Sequence, residues 1–332
     1  YGQDTDHIIM TGSAHLMMGA ALYGDVPEAV NMLDRAWWIW TRGCGSIPPD
    51  GFVRNGQQAQ PVRRWIRDAL GGLFYPGWSY FSGTDSVGLH QYYETLRSAC
   101  GYEIYQQEPE LSPFWGNTIV ATLHLMSPAR DGLYHTGDWQ DPNTLENTAY
   151  FHQCLTLASW EADLAGDAFE ANVGRGFADS VDSWNHFGFL EFFFRDPNAG
   201  ALDPYSAGIE PVTFIQGCDY LFYRTGWDPT ANWTMFSGQG GEPADHQTPD
   251  TGNFVIYRED DYLTKDCRVY GPLDLSVAFN VMSIQNALPF GSTLMSEYEG
   301  PADMERTMTR SDPDIFLAYG MVQGDDQWDE DP

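Results

Sequence analysis

Lysine is almost absent from this chain of 332 residues: Lys265 is the only one, and the other basic residues are arginines. The 47 acidic residues far outnumber the 16 basic ones, so the formal net charge is −31. A surface of this sign repels phosphate groups and anionic lipid headgroups. We therefore expect no nucleic-acid partner.

The lysine-poor, carboxylate-rich composition is similar to that of proteins from salt-loving organisms. Repulsion between carboxylates is screened in concentrated salt, because the Debye length falls to about 3 Å at about 1 M. We therefore expect a halophilic-type acidic surface, and unfolding on transfer to low salt.

Long hydrophobic runs are lacking as well. The most apolar stretch, "FGFLEFFF", is short and contains Glu191, whereas a bilayer-spanning helix needs about 20 apolar residues. We therefore expect no membrane insertion. The chain begins at Tyr1 without a methionine or a signal-type segment, which we interpret as a processed or truncated product.

Paired cysteine motifs are missing too. The 5 cysteines are scattered without a CxxC or another metal-ligand spacing, and an odd number cannot all pair within one chain. Most of them are expected to be buried as small hydrophobic residues. One disulfide is compatible with the sequence, and the spacing does not decide whether it forms.

Aromatic residues, in contrast, are plentiful at 15%. The chain divides into two regions in which apolar residues recur with different periods. Up to about Asp196, apolar residues recur at helical spacing between Gly, Pro and Asp loops. After "RDPNAGALDPYSAG" the segments become short, β-branched or aromatic, and partly alternating. This order predicts an α+β protein with two domains: helices stacked as hairpins over 1–200, and an antiparallel β-sheet domain over 201–332.

The sheet region also contains the most specific motif. The segments "YRTGWDPTANWTMFSGQGG" and "DHQTPDTGNFVIYREDDYLTKD" resemble the start of the β-domain in heparinase II/III-like polysaccharide lyases and the related alginate lyases. The family pattern is Arg-Ser-x-Trp, a strand, then His-x-His-x-Asp-x-Gly-x-Phe. The resemblance implies an incomplete (α/α) toroid followed by an antiparallel β-sandwich, with the active site between them. It also implies a secreted or periplasmic protein and an anionic polysaccharide as the partner.

The resemblance supplies catalytic candidates. His246 matches the first histidine of the family's pair, and Asp6-His7 in "TDHIIMTGSAHLMMGAALYGD" lies where the family has Asn-His. The loop "PPDGFVRNG" resembles the one before the family's catalytic tyrosine, but Ala59 stands where the tyrosine is expected. Tyr92 in "GLHQYYE" is therefore the predicted catalytic tyrosine, while Tyr80 and Tyr93 remain alternatives.

The family's structural zinc ligands are largely missing. Thr248 replaces the second histidine, the usual His-Asn reads Gln285-Asn286, and of the set only Asp266 is retained. A carboxylate, a hydroxyl and an amide are poor zinc ligands. We therefore expect no zinc at this place and no cofactor, while a divalent metal elsewhere stays open.

The implied reaction is β-elimination at a uronic acid. It needs neutralisation of the uronate carboxylate, a base near the C5 proton and an acid near the leaving oxygen. We assign His7, Tyr92 and His246 to catalysis. Substrate binding is assigned to a further set of six residues: Asp6, Arg54, Trp78, Tyr80, Tyr93 and Gln247.

The same residues also allow purely structural interpretations. Asp6 could be a helix N-cap with His7 on the surface, and a carboxylate at position 6 would repel a uronate unless it is protonated or turned away. Arg54, with Arg63, Arg64 and Arg67, forms the densest basic cluster, which is either a salt-bridged face or a carboxylate-binding one.

Two other functions compete with the lyase. A glycoside hydrolase on an (α/α) toroid would need two carboxylates across the cleft, and Asp50, Asp85 and Asp138 are the obvious suppliers. A non-catalytic glycan-binding relative would keep the fold and lack the chemistry.

Overall fold

The computed structural model describes residues 5–43, 61–74, 77–134, 136, 148–181, 188–238, 252–259, 261–264, 303–312 and 315–323. For residues 5–7, 79, 148–149, 188–189, 303–312 and 315–323 it describes the backbone alone. Within these ranges no helix combines the length and the apolarity that crossing a bilayer requires.

Helices occupy the first part of the chain. Their bounds are α1 Thr5–Ala21, α2 Ala29–Arg42, α3 Val62–Asp68, α4 Trp78–Tyr80, α5 Ser86–Ser98, α6 Ile104–Gln107, α7 Pro113–Leu125, α8 Thr148–Ala165, α9 Ala168–Ser180 and α10 Gly188–Phe194. A 3₁₀ turn, Pro109–Leu111, precedes α7. Helix α2 ends with Arg42 in its last turn and Gly43 at φ 73° beyond it, a backbone conformation that glycine adopts readily.

A π-helical turn, Phe81–Asp85, joins α4 to α5 without a break. Its backbone is widened because the Ser86 N–H bonds to the Phe81 carbonyl oxygen, five residues back. Single π-turns are rare inside α-helices and are frequent at functional sites.

The β-region contains an antiparallel sheet of five strands in chain order: β1 Val212–Ile215, β2 Tyr220–Arg224, β3 Trp233–Ser237, β4 Phe254–Arg258 and β5 Asp261–Thr264. In β3 the side chains of Trp233, Met235 and Ser237 are buried while those between them are half-buried. This alternation follows from the two-residue period of a strand. Strands β6 Asp303–Asp312 and β7 Ile315–Gln323 form a separate antiparallel pair.

Backbone contacts attach the sheet to the helices through the turn between β1 and β2. The Gly71 N–H donates to the Gln216 carbonyl oxygen at 3.1 Å, and the Cys218 thiol donates to the Leu73 carbonyl oxygen at 3.2 Å. At Gly217, φ is 98° and a Cβ would collide with the Asp68 carbonyl. The hydrophobic core accordingly runs without interruption from the helices into β1–β4.

Arg224 of β2 makes a second attachment. Its guanidinium donates to the carbonyl oxygens of Met126 at 2.7 Å and His124 at 3.3 Å, at the C-terminal end of α7. It also lies over the Trp227 ring, 4.1 Å from the centroid. Burial lowers the pKa of Arg224 to about 9. A cation at the negative end of a helix dipole is favourable, which offsets part of the burial cost.

The predicted order, helices followed by an antiparallel sheet, is confirmed. Closure of the helices into a toroid and a sandwich arrangement of the strands remain predictions, and so does the domain border at 200/201.

Candidate functional site

The first turns of α1 lie beside the π-helical turn. Helix α1 packs against both that turn and α5. Gly88 of α5 faces Ile9, and Tyr92, one turn further along α5, contacts Gly12. From the first contact to the second, the residue number increases along α1 and along α5, so the two helices run in the same direction. The backbone of His7 is therefore near the junction of the π-helical turn with α5.

The first turns of α8 approach the same turn from another side. The Gln153 side chain is 2% exposed, and its Nε2 lies 3.2 Å from both the Ser82 and the Gly83 carbonyl oxygens. A Cβ at Gly83 would lie 3.6 Å from the Tyr150 ring. The turn thus forms a meeting point of α1, α5 and α8, and we refer to it with its flanking residues Trp78–Ser86 as the π-turn site.

Trp78, predicted to bind substrate, is an anchor of this site. Its indole is 2% exposed and donates from Nε1 to the Thr122 hydroxyl at 3.1 Å. Its backbone N–H donates to the Thr136 hydroxyl, also at 3.1 Å. These bonds fix the beginning of the helix that leads into the π-turn.

The three predicted tyrosines have different surroundings. Tyr92 is fully buried and donates its hydroxyl to the Ala36 carbonyl oxygen at 3.0 Å. Tyr93 is also fully buried, where burial and then the charges of Glu161 and Glu108 raise its pKa well above the ordinary value. Tyr80 is half-buried and stands immediately before the π-helical turn, with its carbonyl bonded to the Thr84 hydroxyl at 2.8 Å. Tyr80 is thus the member of the three that belongs to the π-turn site.

A polar network is buried behind the site. Glu161 of α8 accepts hydrogen bonds from His90 Nδ1 and the Tyr105 hydroxyl, both at 2.8 Å, and contacts Arg97 at 3.5 Å. Burial alone would raise the pKa of Glu161. The hydrogen bond and charge of His90, together with Arg97 and Tyr105, outweigh burial and lower that pKa. His90 is therefore a partner in this internal network.

Several predicted residues lie outside the described residues: Arg54, His246, Gln247 and the proposed zinc positions Thr248, Asp266, Gln285 and Asn286. For Asp6 and His7 the backbone alone is described, and Asp6 is already inside α1, which begins at Thr5. Among the described side chains, no three His, Cys, Asp or Glu converge as a metal site would require. The assigned roles of these residues stay predictions.

Two described arginines of the basic cluster, Arg64 and Arg67, are engaged with carboxylates. Arg64 lies 3.4 Å from Asp68, and Arg67 lies 2.6 Å from Glu110. For these two arginines this is the pairing of an exposed, salt-bridged helix face. The role of the whole cluster, which includes Arg54, stays a prediction.

The sequence interpretation missed Gln153 and the π-helical turn. Gly83 in the middle of an otherwise helical segment is the one local signal, since an interior glycine marks a special packing or backbone requirement. Nothing in the spacing of "HQCLTL" distinguishes Gln153 from a surface glutamine.

Comparison with solved structures gives a similar fold. Heparinase III superposes with a TM-score of 0.53 and 13% identity, over 93% of this chain and 42% of the heparinase III chain. A heparan sulfate lyase from Pedobacter heparinus gives a TM-score of 0.39 and 16% identity, over 77% of this chain and 31% of its own. A second heparinase III structure, with methylated lysines, gives a TM-score of 0.44 and 12% identity, over 89% of this chain and 38% of its own.

The chain therefore spans less than half the length of these proteins. No family model matches it, and no curated protein matches it. At this level of identity the superposition shows that the chain shares its fold with part of heparinase III.

Proposed function

We propose that the protein is a polysaccharide lyase that cleaves a uronic-acid-containing polysaccharide by β-elimination. The observation that carries the proposal is the convergence of the start of α1, which bears His7, with the π-turn site, which includes Tyr80. This convergence occurs within a fold similar to that of heparinase III, over 93% of the chain.

The proposed reaction removes the C5 proton of a uronate and expels the glycosidic oxygen from C4. The C5–H electron pair forms the C4–C5 double bond while the C4–O bond breaks, and the leaving oxygen takes a proton. Imidazole and phenol groups suit these proton transfers, because they exchange protons within hydrogen-bond distance of a reacting atom. His7 and His246 would supply imidazoles from the helical and β-regions.

The tyrosine of the reaction is best assigned to Tyr80. Tyr92 has no exposed surface, and its hydroxyl is held by the Ala36 carbonyl, so it could meet a sugar only if α2 and α5 separated. Tyr80, in contrast to Tyr92, keeps part of its side chain exposed, although its hydroxyl is buried, and it stands immediately before the π-helical turn that packs against α1.

The substrate side of the proposal follows from the same chemistry. An anionic polysaccharide is the partner, and Asp6, Arg54, Trp78, Tyr93 and Gln247 remain the proposed binding set. Trp78 and Tyr93 are buried, so they would act through the position of the helices that carry them. The elimination described here needs no cofactor. Action on an extracellular polysaccharide goes with a secreted or periplasmic protein.

The glycoside hydrolase alternative is less well supported. Such an enzyme needs two carboxylates that can reach the glycosidic bond, about 5–9.5 Å apart. Of its candidates, Asp85 is fully buried, and Asp50 and Asp138 lie outside the described residues. Glu108 and Glu161 are buried too, and accept hydrogen bonds from core residues.

A substrate screen tests the proposal. The protein is incubated with alginate, glycosaminoglycans, glucuronan and ulvan while ultraviolet absorbance of the unsaturated uronate is followed. We expect absorbance to rise with one of these polymers and to be lost in His246→Gln and Tyr80→Phe. New reducing ends without absorbance would mean a hydrolase, and binding without either signal would mean a non-catalytic relative.

A further inference from the structure

Gln153 makes the contact that stands out at the π-turn site. Its amide group carries two N–H bonds and lies equally close to two successive carbonyl oxygens, those of Ser82 and Gly83, at 3.2 Å each. Both carbonyls belong to the π-helical turn, Phe81–Asp85. Gln153 itself comes from a different helix, α8, and is 2% exposed.

A π-turn needs such support. Widening the helix by one residue disturbs the regular alignment of its carbonyls with the N–H groups four residues ahead. A buried carbonyl without a donor costs about 1–3 kcal/mol. The Ser82 carbonyl also accepts the Ser86 hydroxyl at 3.0 Å, whereas Gln153 is the side-chain donor at Gly83.

The π-turn fixes the direction of Tyr80. One residue corresponds to about 100° of rotation around a helix axis, because a regular turn contains 3.6 residues. If the π-turn relaxed to a regular helix, Tyr80 would rotate by about this angle relative to α5. The close approach of the Tyr150 ring to Gly83 supports the same arrangement from the same helix.

We infer that Gln153 is a positioning residue: by donating to the Ser82 and Gly83 carbonyls it holds the π-turn, and so orients Tyr80 for catalysis. This inference rests on the proposed function.

The sharpest variant is Gln153→Glu, which preserves the shape of the side chain. An ionised carboxylate donates nothing and would face two carbonyl oxygens, whereas a protonated carboxyl can donate one hydrogen bond. We expect kcat to fall about tenfold or more at about pH 8, with KM changed less than about twofold, because only the orientation of Tyr80 is affected. The ratio of variant to wild-type kcat should recover towards about pH 5 as the carboxyl becomes protonated.

Gln107→Glu is the matched control, since it makes the same chemical change at an exposed position at the end of α6. Its activity should follow that of the wild type at every pH. A Gln153→Glu variant whose kcat also follows the wild type, or whose loss is independent of pH, would overturn the inference.

A second measurement separates this inference from the proposed function. Hydrogen exchange of Gln153→Met, which is similar in size but cannot donate, should be faster than in the wild type at the amides of residues 81–90. Exchange in α9 should be unchanged. Equal exchange at 81–90 would refute the role of Gln153 even if no lyase activity were found, while wild-type inactivity on all polymers would refute the proposed function alone.

Discussion

At the scale of residues, His124 couples the helices to the sheet. It lies in α7, fully buried, with its ring 5.1 Å from that of Trp227. Burial and then the positive charge of Arg224 lower the pKa of His124 well below its ordinary value. The imidazole is therefore neutral in the native protein around neutral pH.

This lowered pKa predicts acid sensitivity. Below about pH 6.5 the unfolded chain takes up a proton at His124 that the native protein resists, so native stability falls as pH decreases from there towards the lower native pKa. We expect a slope of up to about 1.4 kcal/mol per pH unit from this group. When the free energy of unfolding is measured with urea between about pH 7 and pH 5, it should fall less steeply with decreasing pH in His124→Gln than in the wild type.

A control is available in His15, which lies half-buried on α1 with its Nδ1 2.7 Å from the Thr11 carbonyl oxygen. His15→Gln should leave the pH dependence of the free energy of unfolding as it is in the wild type. If His124→Gln retained the full wild-type slope, another group would have to be responsible for it.

Single-residue roles were predicted from sequence to different degrees. His246 could be selected because a motif surrounds it. Tyr92 was selected because Ala59 stands where the family resemblance implies a tyrosine, yet the sequence does not reveal that the Tyr92 hydroxyl is held by the Ala36 carbonyl, 56 positions away in the chain. Such long-range hydrogen bonds have no sequence signature.

At the scale of elements, Glu161 joins three helices. It lies on α8, and its partners His90 and Tyr105 belong to α5 and α6. Its carboxylate is fully buried, so removing the charge leaves the donors around it with a weaker acceptor. A buried ion pair contributes little against an apolar replacement, but breaking one side of it is costly.

We expect Glu161→Gln to lower the free energy of unfolding by about 3–5 kcal/mol at neutral pH. The pKa of Glu161 is lowered in the native state, so its contribution is present above its unfolded pKa and is lost as pH falls through the native one. Urea unfolding at neutral and acidic pH measures both effects. Glu103→Gln, at an exposed position, should change neither the free energy of unfolding nor its pH dependence. If Glu161→Gln lowered the free energy of unfolding by less than about 1 kcal/mol, this account would be contradicted.

Helices and strands themselves were largely predictable. Arg42-Gly43 marked the end of α2, and short aromatic segments marked β2, β3 and β4. The π-turn was not predictable, because buried positions such as Trp78, Phe81, Leu89 and Tyr92 keep an ordinary helical spacing around it. Its stability depends on Gln153, which is contributed by another helix.

At the scale of the whole molecule, charge is the dominant property. A formal charge of −31 means that carboxylates repel one another in the compact state more than in the expanded unfolded chain. Salt weakens this repulsion, since the Debye length falls from about 30 Å at 0.01 M to about 3 Å at 1 M.

We expect the midpoint of thermal unfolding to rise steadily from low to molar NaCl. The same titration near the sequence pI of 4.2 serves as a control, because the net charge is then small and the rise should be weaker. A midpoint that is equal at low and high salt at neutral pH would contradict the expectation of a halophilic-type surface.

The mass of the oligosaccharide products tests the elimination reaction most directly. Chain cleavage by β-elimination gives a new non-reducing end with a C4–C5 double bond, and no water is added. We therefore predict that mass spectrometry of a digested uronate polymer will detect products lighter by one water than the corresponding hydrolysis fragments. Fragments that all contain the added water would contradict the lyase mechanism.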